Sequence, residues 1–129
     1  MLWEGAGADV SSKNPAEVAD GWGLLSVSCR KCGPRSLVVR LEGDLDIYNT
    51  RELSNHLEQS DTGVEEIVID LSDLNFIDCA GLHQLLEAAQ RARSRGSRLK
   101  LVKGPHRVHR VFALTGLESA FEFVPAPPG

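Results

Sequence analysis

The chain has 129 residues, 42% of them apolar, and a formal net charge of −4, which suits one domain built around a single hydrophobic core. No run approaches the roughly 20 consecutive apolar residues of a membrane span. Met1-Leu2-Trp3-Glu4-Gly5 lacks a basic region followed by a long apolar stretch, so no secretory signal is expected and the chain reads as cytoplasmic, with no membrane partner.

Residues 1–23 mix Gly, Ala, Ser and acids without steady periodicity, and Pro15 interrupts any long helix. They read as a flexible N-terminal segment in which Trp3 and Trp22 are available to dock onto the domain. The domain itself is expected over residues 24–124. Two apolar runs, residues 25–29 and 37–41, are separated by Gly33-Pro34 and read as a hairpin. Gly43-Asp44-Leu45-Asp46 follows as a strand-to-helix corner whose acids suit a turn. Asn49 offers an N-cap, with Glu52 three residues later to complete a capping box, and Leu53 and Leu57 supply one apolar helical stripe before Asp61-Thr62-Gly63 breaks it. Residues 67–71 read as a short buried strand. A helix over about residues 80–95 follows, with Leu82, Leu85, Leu86 and Ala89 as its core face. A strand over residues 99–102 leads to a helix over residues 106–115, with Val108, Val111 and Phe112 inward and Gly116 as C-terminal cap, and then to a last strand near Phe121. Pro125-Ala126-Pro127-Pro128-Gly129 is a proline-rich tail that stops the last element. There is no internal repeat. Alternating strands and helices with short breaks imply an α/β fold. Its expected form is a small mixed sheet, an antiparallel hairpin next to parallel strands joined by right-handed crossovers, covered by helices.

The stretch Phe76-Ile77-Asp78-Cys79-Ala80-Gly81-Leu82 places a thiol where an apolar strand meets a helix. A helix start leaves backbone N–H groups unpaired and carries a partial positive charge, so it can hold an anion or stabilise a thiolate. Asp78, a good N-cap, opposes the second effect. Gly81 either admits close approach of a partner backbone or phosphate, or serves packing. His83, one turn after Cys79, is the only local base, and Asp78 competes for its proton. No Walker loop, Gly-x-Ser-x-Gly elbow or His-Glu-x-x-His helix occurs, so no enzyme is expected.

Cys29-Arg30-Lys31-Cys32 has redox spacing, yet it ends a strand where a redox motif precedes a helix. Inert thiols and a reversible Cys29–Cys32 disulfide both remain open, and Cys79 is a third redox candidate. Structural zinc needs about four ligands, and the tight His106-x-x-His109 spacing is a poor complement, so no metal or cofactor is expected. From Ala88 through Leu117 there is no acid, while Arg91, Arg93, Arg95, Arg98, Lys100, Lys103, Arg107 and Arg110 all fall there. A solvated helix end is the simplest reading. Without aromatic residues among these arginines before Phe112, and with an acidic chain overall, nucleic acid is not an expected partner.

Three elements in order, Gly43-Asp44-Leu45-Asp46, the Phe76 to Leu82 stretch, and Arg110-Val111-Phe112-Ala113-Leu114-Thr115-Gly116-Leu117 with Phe121, give the chain from about Leu24 to Val124 a resemblance. It resembles the STAS domain of bacterial anti-sigma-factor antagonists. The resemblance implies a STAS fold and a binding role. The partner would be a kinase-type anti-sigma factor with an ATP-binding fold, whose capture frees a sigma factor. The docking surface it implies comprises Asp44, Asp46, Asp78, Cys79, Ala80, Gly81 and His83. Regulated relatives carry, directly after the Asp, a serine that the partner kinase phosphorylates, and usually Ser or Thr next; here Cys79 and Ala80 offer no hydroxyl. The expectation is an antagonist that is constitutively competent, or controlled by abundance or oxidation, as a monomer or weak dimer. Alternatives are a scaffold piece of a larger signalling assembly, the soluble subunit of a lipid transporter, and a small-ligand sensor using the helix start.

Overall fold

Short apolar runs, alternating in burial at the first strand and buried on both faces in the central ones, generate the sheet seen in a computed structural model, which describes residues 24–60 and 63–128. The readings for residues 1–23, including Trp3 and Trp22, and for Asp61-Thr62 lie outside the described residues. The elements are β1 (Leu25–Lys31), β2 (Ser36–Leu45), α1 (Thr50–Ser60), β3 (Glu66–Ile77), α2 (Cys79–Ser94), β4 (Arg98–Val102), α3 (His106–Thr115), a 3-10 turn (Glu118–Ala120) and β5 (Glu122–Val124). The strands lie in the order β1-β2-β3-β4-β5. β1 and β2 are antiparallel and the remaining pairs parallel, as the alternation of strands and helices implies.

Two strands run further than their apolar periodicity suggests. β2 continues through Glu42-Gly43-Asp44 to Leu45, and β3 through Ser72-Asp73 to Ile77. Their pairing survives because register shifts between Arg40 and Glu42, and between Gly43 and Asp44, absorb the irregular residues. Gly43 takes φ +99°, and a Cβ there would lie 2.3 Å from the Leu24 carbonyl oxygen, so only glycine fits the bulge. The expected corner at residues 43–46 is therefore mostly strand, and the turn begins at Asp46.

Leu37, Val39 and Leu41 of β2, Ile67, Ile69 and Leu71 of β3, and Leu99 and Leu101 of β4 face one core. Leu53 and Leu57 of α1, Leu82, Leu85, Ala88 and Ala92 of α2, and Val108 and Phe112 of α3 meet them there. Leu86 and Ala89 are half-buried at its edge. The three helices among the described residues thus cover the same side of the sheet. The other side carries a separate small cluster, Val38, Val68 and Val102, with Cys32 and Val124 against it. Gly116 closes α3 in the left-handed conformation, its N–H directed to the Ala113 and Phe112 carbonyls.

Candidate functional site at the start of the second helix

Parallel pairing sets Asp44 beside Phe76 and Leu45 beside Ile77, so the corner leaving β2 and the junction entering α2 become neighbours. Asp78 ties them together. Its Oδ1 accepts from the Gly81 N–H at 2.9 Å and its Oδ2 from the Ile47 N–H at 3.3 Å, while its own N–H donates to the Leu45 carbonyl at 3.3 Å. One carboxylate therefore caps α2, as its position before the helix implies, and also pins the corner.

Asp46 is buried. Its Oδ1 accepts from the Tyr48 N–H at 2.9 Å, a local turn that satisfies a backbone donor. Asn49 precedes α1 as expected, but its carboxamide faces back into the corner. Oδ1 accepts from the Asp46 N–H at 2.9 Å, and Nδ2 donates to the Asp44 carbonyl at 2.7 Å. The expected cap is displaced because the tight corner leaves a buried donor and acceptor that a single amide can serve. Gly81 is decided in favour of packing: a Cβ would lie 2.5 Å from the Leu45 oxygen and 2.9 Å from Leu45 Cγ.

Of the residues singled out from sequence, Asp46 and Gly81 are buried and build the corner, and Asp78 is half-buried and committed to backbone groups. Cys79 and His83 are exposed on the first two turns of α2, with Ala80 half-buried between them. Three residues not singled out join them. Ile47 and Tyr48, lifted outward by the Asp46–Asn49 bonding, are 65% and 72% exposed, and Phe76 is 49% exposed. Large apolar side chains bordering one corner mark an interaction surface more than a random scatter does. The sequence signal was the Ile47-Tyr48 pair set inside an otherwise polar turn.

Asp44 is half-buried, and among the described residues no cation pairs with it. Burial, and secondarily the Asp46 charge, raise its carboxyl pKa from the ordinary aspartate value. Because the folded state binds this proton more readily than the unfolded chain, its stabilising contribution is present at acid pH and is lost as pH rises through the folded value. Asp44→Asn is therefore expected to raise the thermal midpoint slightly at neutral pH, with the gain vanishing in acid, where both forms are neutral; melts of both chains across that range check it.

The remaining candidates disperse. No disulfide joins Cys29, Cys32 and Cys79. Cys29 packs on the helix-covered core and Cys32 on the opposite cluster, as an odd separation along a strand requires; a bond between them demands rebuilding the end of β1. His109 directs Nε2 to Glu118 at 2.6 Å and stacks on Phe112, and among the described residues no three His, Cys, Asp or Glu side chains converge as metal ligands. Much of the basic stretch is paired: Arg91 with Glu58, Arg98 with Glu122, Lys100 with Glu66, and Arg107 with Asn75.

A family model described as Mlab, STAS domain matches residues 32–125. BtrV of Bordetella bronchiseptica, described as an anti-sigma factor antagonist, is 33% identical over 86 residues, covering 66% of this chain and 74% of its own. Osmosensory protein A of Mycobacterium tuberculosis is 31% identical over 68 residues, 53% of this chain, which spans only 43% of that relative's length. Among solved structures, an anti-sigma factor antagonist from Mycobacterium paratuberculosis has a TM-score of 0.70 at 22% identity, covering 80% of this chain and 87% of its own. The anti-sigma factor antagonist SpoIIAA in its unphosphorylated form has a TM-score of 0.66 at 20% identity, covering 77% and 88%. The shared fold and the family match agree: the chain belongs to the STAS domain family, whose members include anti-sigma factor antagonists.

Proposed function

We propose that this chain is an anti-sigma factor antagonist that captures a kinase-type anti-sigma factor at the corner between β2 and α2 and so releases the bound sigma factor. The observation that carries the reading is the exposed first turn of α2, with Cys79 at its start and Ile47, Tyr48 and Phe76 around it, in a chain whose relatives include antagonists. Binding, not chemistry, is the activity this surface supports.

Cys79 and Ala80 stand where regulated relatives are expected to carry hydroxyl residues, so phosphorylation does not switch this chain off. Antagonism is constitutive, or set by abundance or by oxidation of the exposed thiol. Incubation with a cognate kinase-type anti-sigma factor and ATP is expected to leave the mass unchanged; addition of one phosphate at or beside Cys79 overturns this part of the reading.

Cys79→Asp tests the location. An acid in the first turn of a helix is favourable for the helix itself, so the fold is retained, whereas a new charge in the interface opposes docking by desolvation and repulsion. Affinity for the anti-sigma factor is expected to fall about tenfold, equivalent to roughly 1.4 kcal/mol, with an unchanged melting temperature. Unchanged affinity removes this turn from the interface. Cys79→Ser is expected to restore a phosphoacceptor.

A further inference from the structure

With the three described helices on one side, the described residues cover the opposite side of the sheet by other means. Val38, Val68 and Val102 are 3%, 2% and 5% exposed there. Part of the cover is ionic: Lys100 Nζ lies 2.6 Å from Glu66 and 3.9 Å from Glu122, Arg98 lies 3.1 Å from Glu122, and Arg40 pairs with Asp73. Their aliphatic stems shield apolar surface while the charged ends stay wet.

Residues 124–128 contribute a further part. Val124 of β5 packs on the valine cluster. Beyond it, Pro127 borders a groove of about 450 Å³ together with Ser28, Arg30, Val38, Arg40 and Asp70. The Pro128 carbonyl accepts from Cys32 Sγ at 3.0 Å and from Arg30 Nη2 at 3.2 Å, and Arg30 Nη1 donates to the same sulfur at 2.9 Å. β5 and β1 are opposite edges of the sheet, so residues 125–128 cross from one edge to the other. Three of those four residues are proline. Proline suits a crossing that joins no ladder, because it has no N–H to leave unpaired and has little backbone freedom to lose on ordering.

We propose that residues 125–128 form a strap across the face opposite the described helices, with the Cys32 thiol and the Arg30 guanidinium as the latch at its far end. Release of the latch uncovers Val38 and the groove beside it, a surface separate from the first turn of α2. This inference stands whether or not the chain binds an anti-sigma factor.

The test is the rate at which each cysteine reacts with iodoacetamide, resolved by peptide mass spectrometry, with the exposed Cys79 as internal reference. Loss of the hydrogen bonds that hold the strap is expected to speed Cys32 about tenfold when the chain is cut after Val124, with the Cys79 rate unchanged. Equal Cys32 rates in the full and shortened chains overturn the strap. Should the shortened chain fail to fold, seen as loss of a cooperative melt, the full-length double variant Pro127→Gly/Pro128→Gly decides by the same criterion. A severalfold faster Cys32 supports the strap, and an unchanged one refutes it.

Discussion

Gly81→Ala is expected to destabilise the fold by about 1–3 kcal/mol, the usual cost of forcing a methyl group into a filled site. The added Cβ would sit 2.5 Å from the Leu45 carbonyl oxygen, 2.9 Å from Leu45 Cγ and 3.0 Å from Ile77 Cγ1. The first contact is with backbone, which cannot rotate away, and the same oxygen accepts the Asp78 N–H. Relief therefore requires the start of α2 to lift from the corner, which strains the Asp78 bonds to Gly81 and Ile47. Alanine's better helix propensity returns at most about 1 kcal/mol and lessens the loss without reversing it. In a domain of this size each kcal/mol shifts the melting midpoint by about 4–8 °C, so a thermal melt reads the effect directly. A midpoint equal to that of the parent would mean that α2 does not seat on Leu45. Partner binding is expected to fall as well, because Cys79 and His83 ride on the displaced turn.

The double change Ile47→Ala/Tyr48→Ala is expected to act in the opposite way, leaving the fold intact and removing partner affinity. In the free chain these side chains are mostly solvated, so truncating them opens no cavity and the melt is unchanged. With Phe76 they are the large apolar groups exposed on the corner, and a tyrosine buried in a complex with an aliphatic neighbour is the kind of anchor that dominates interfaces. Such anchors cost about 2 kcal/mol or more on truncation, roughly a 30-fold loss of affinity. Titration calorimetry of both chains against the anti-sigma factor measures it. Equal affinity would make Ile47 and Tyr48 ordinary exposed side chains, which single surface apolar residues commonly are.

Much of the architecture was legible because local and long-range preferences coincide. Asp78 sits one residue before a helix whose Leu82 and Leu85 recur at the right spacing, and Gly116 ends a helix where φ must be positive. The misread portions are those where a distant neighbour decides. The outer halves of β2 and β3 carry polar residues that suggest loop, yet each strand offers the other a ladder, and a bulge at Gly43 keeps it in register. Asn49 has the sequence of a helix cap, but the buried Asp46 N–H and Asp44 carbonyl compete for its amide and win. Gly81 had two readings, and the Leu45 oxygen chooses between them. The outward direction of Ile47, Tyr48 and Phe76 follows from the corner's hydrogen bonds and the pairing of Asp44 with Phe76, neither of which periodicity encodes. The closing prolines read as a stop; their crossing to Cys32 depends on a residue almost the whole domain away.

The most direct test of the docking surface is a tagged capture from a lysate of the native cells, with the parent chain and the Ile47→Ala/Tyr48→Ala chain as parallel baits, each with and without reductant, and bound proteins identified by mass spectrometry. A kinase-type anti-sigma factor retained by the parent and lost from the double variant is the expected result, and retention only with reductant would assign control to the exposed thiol. Equal retention by both baits would contradict the corner as the interface, and no such partner on either would contradict the antagonist reading itself.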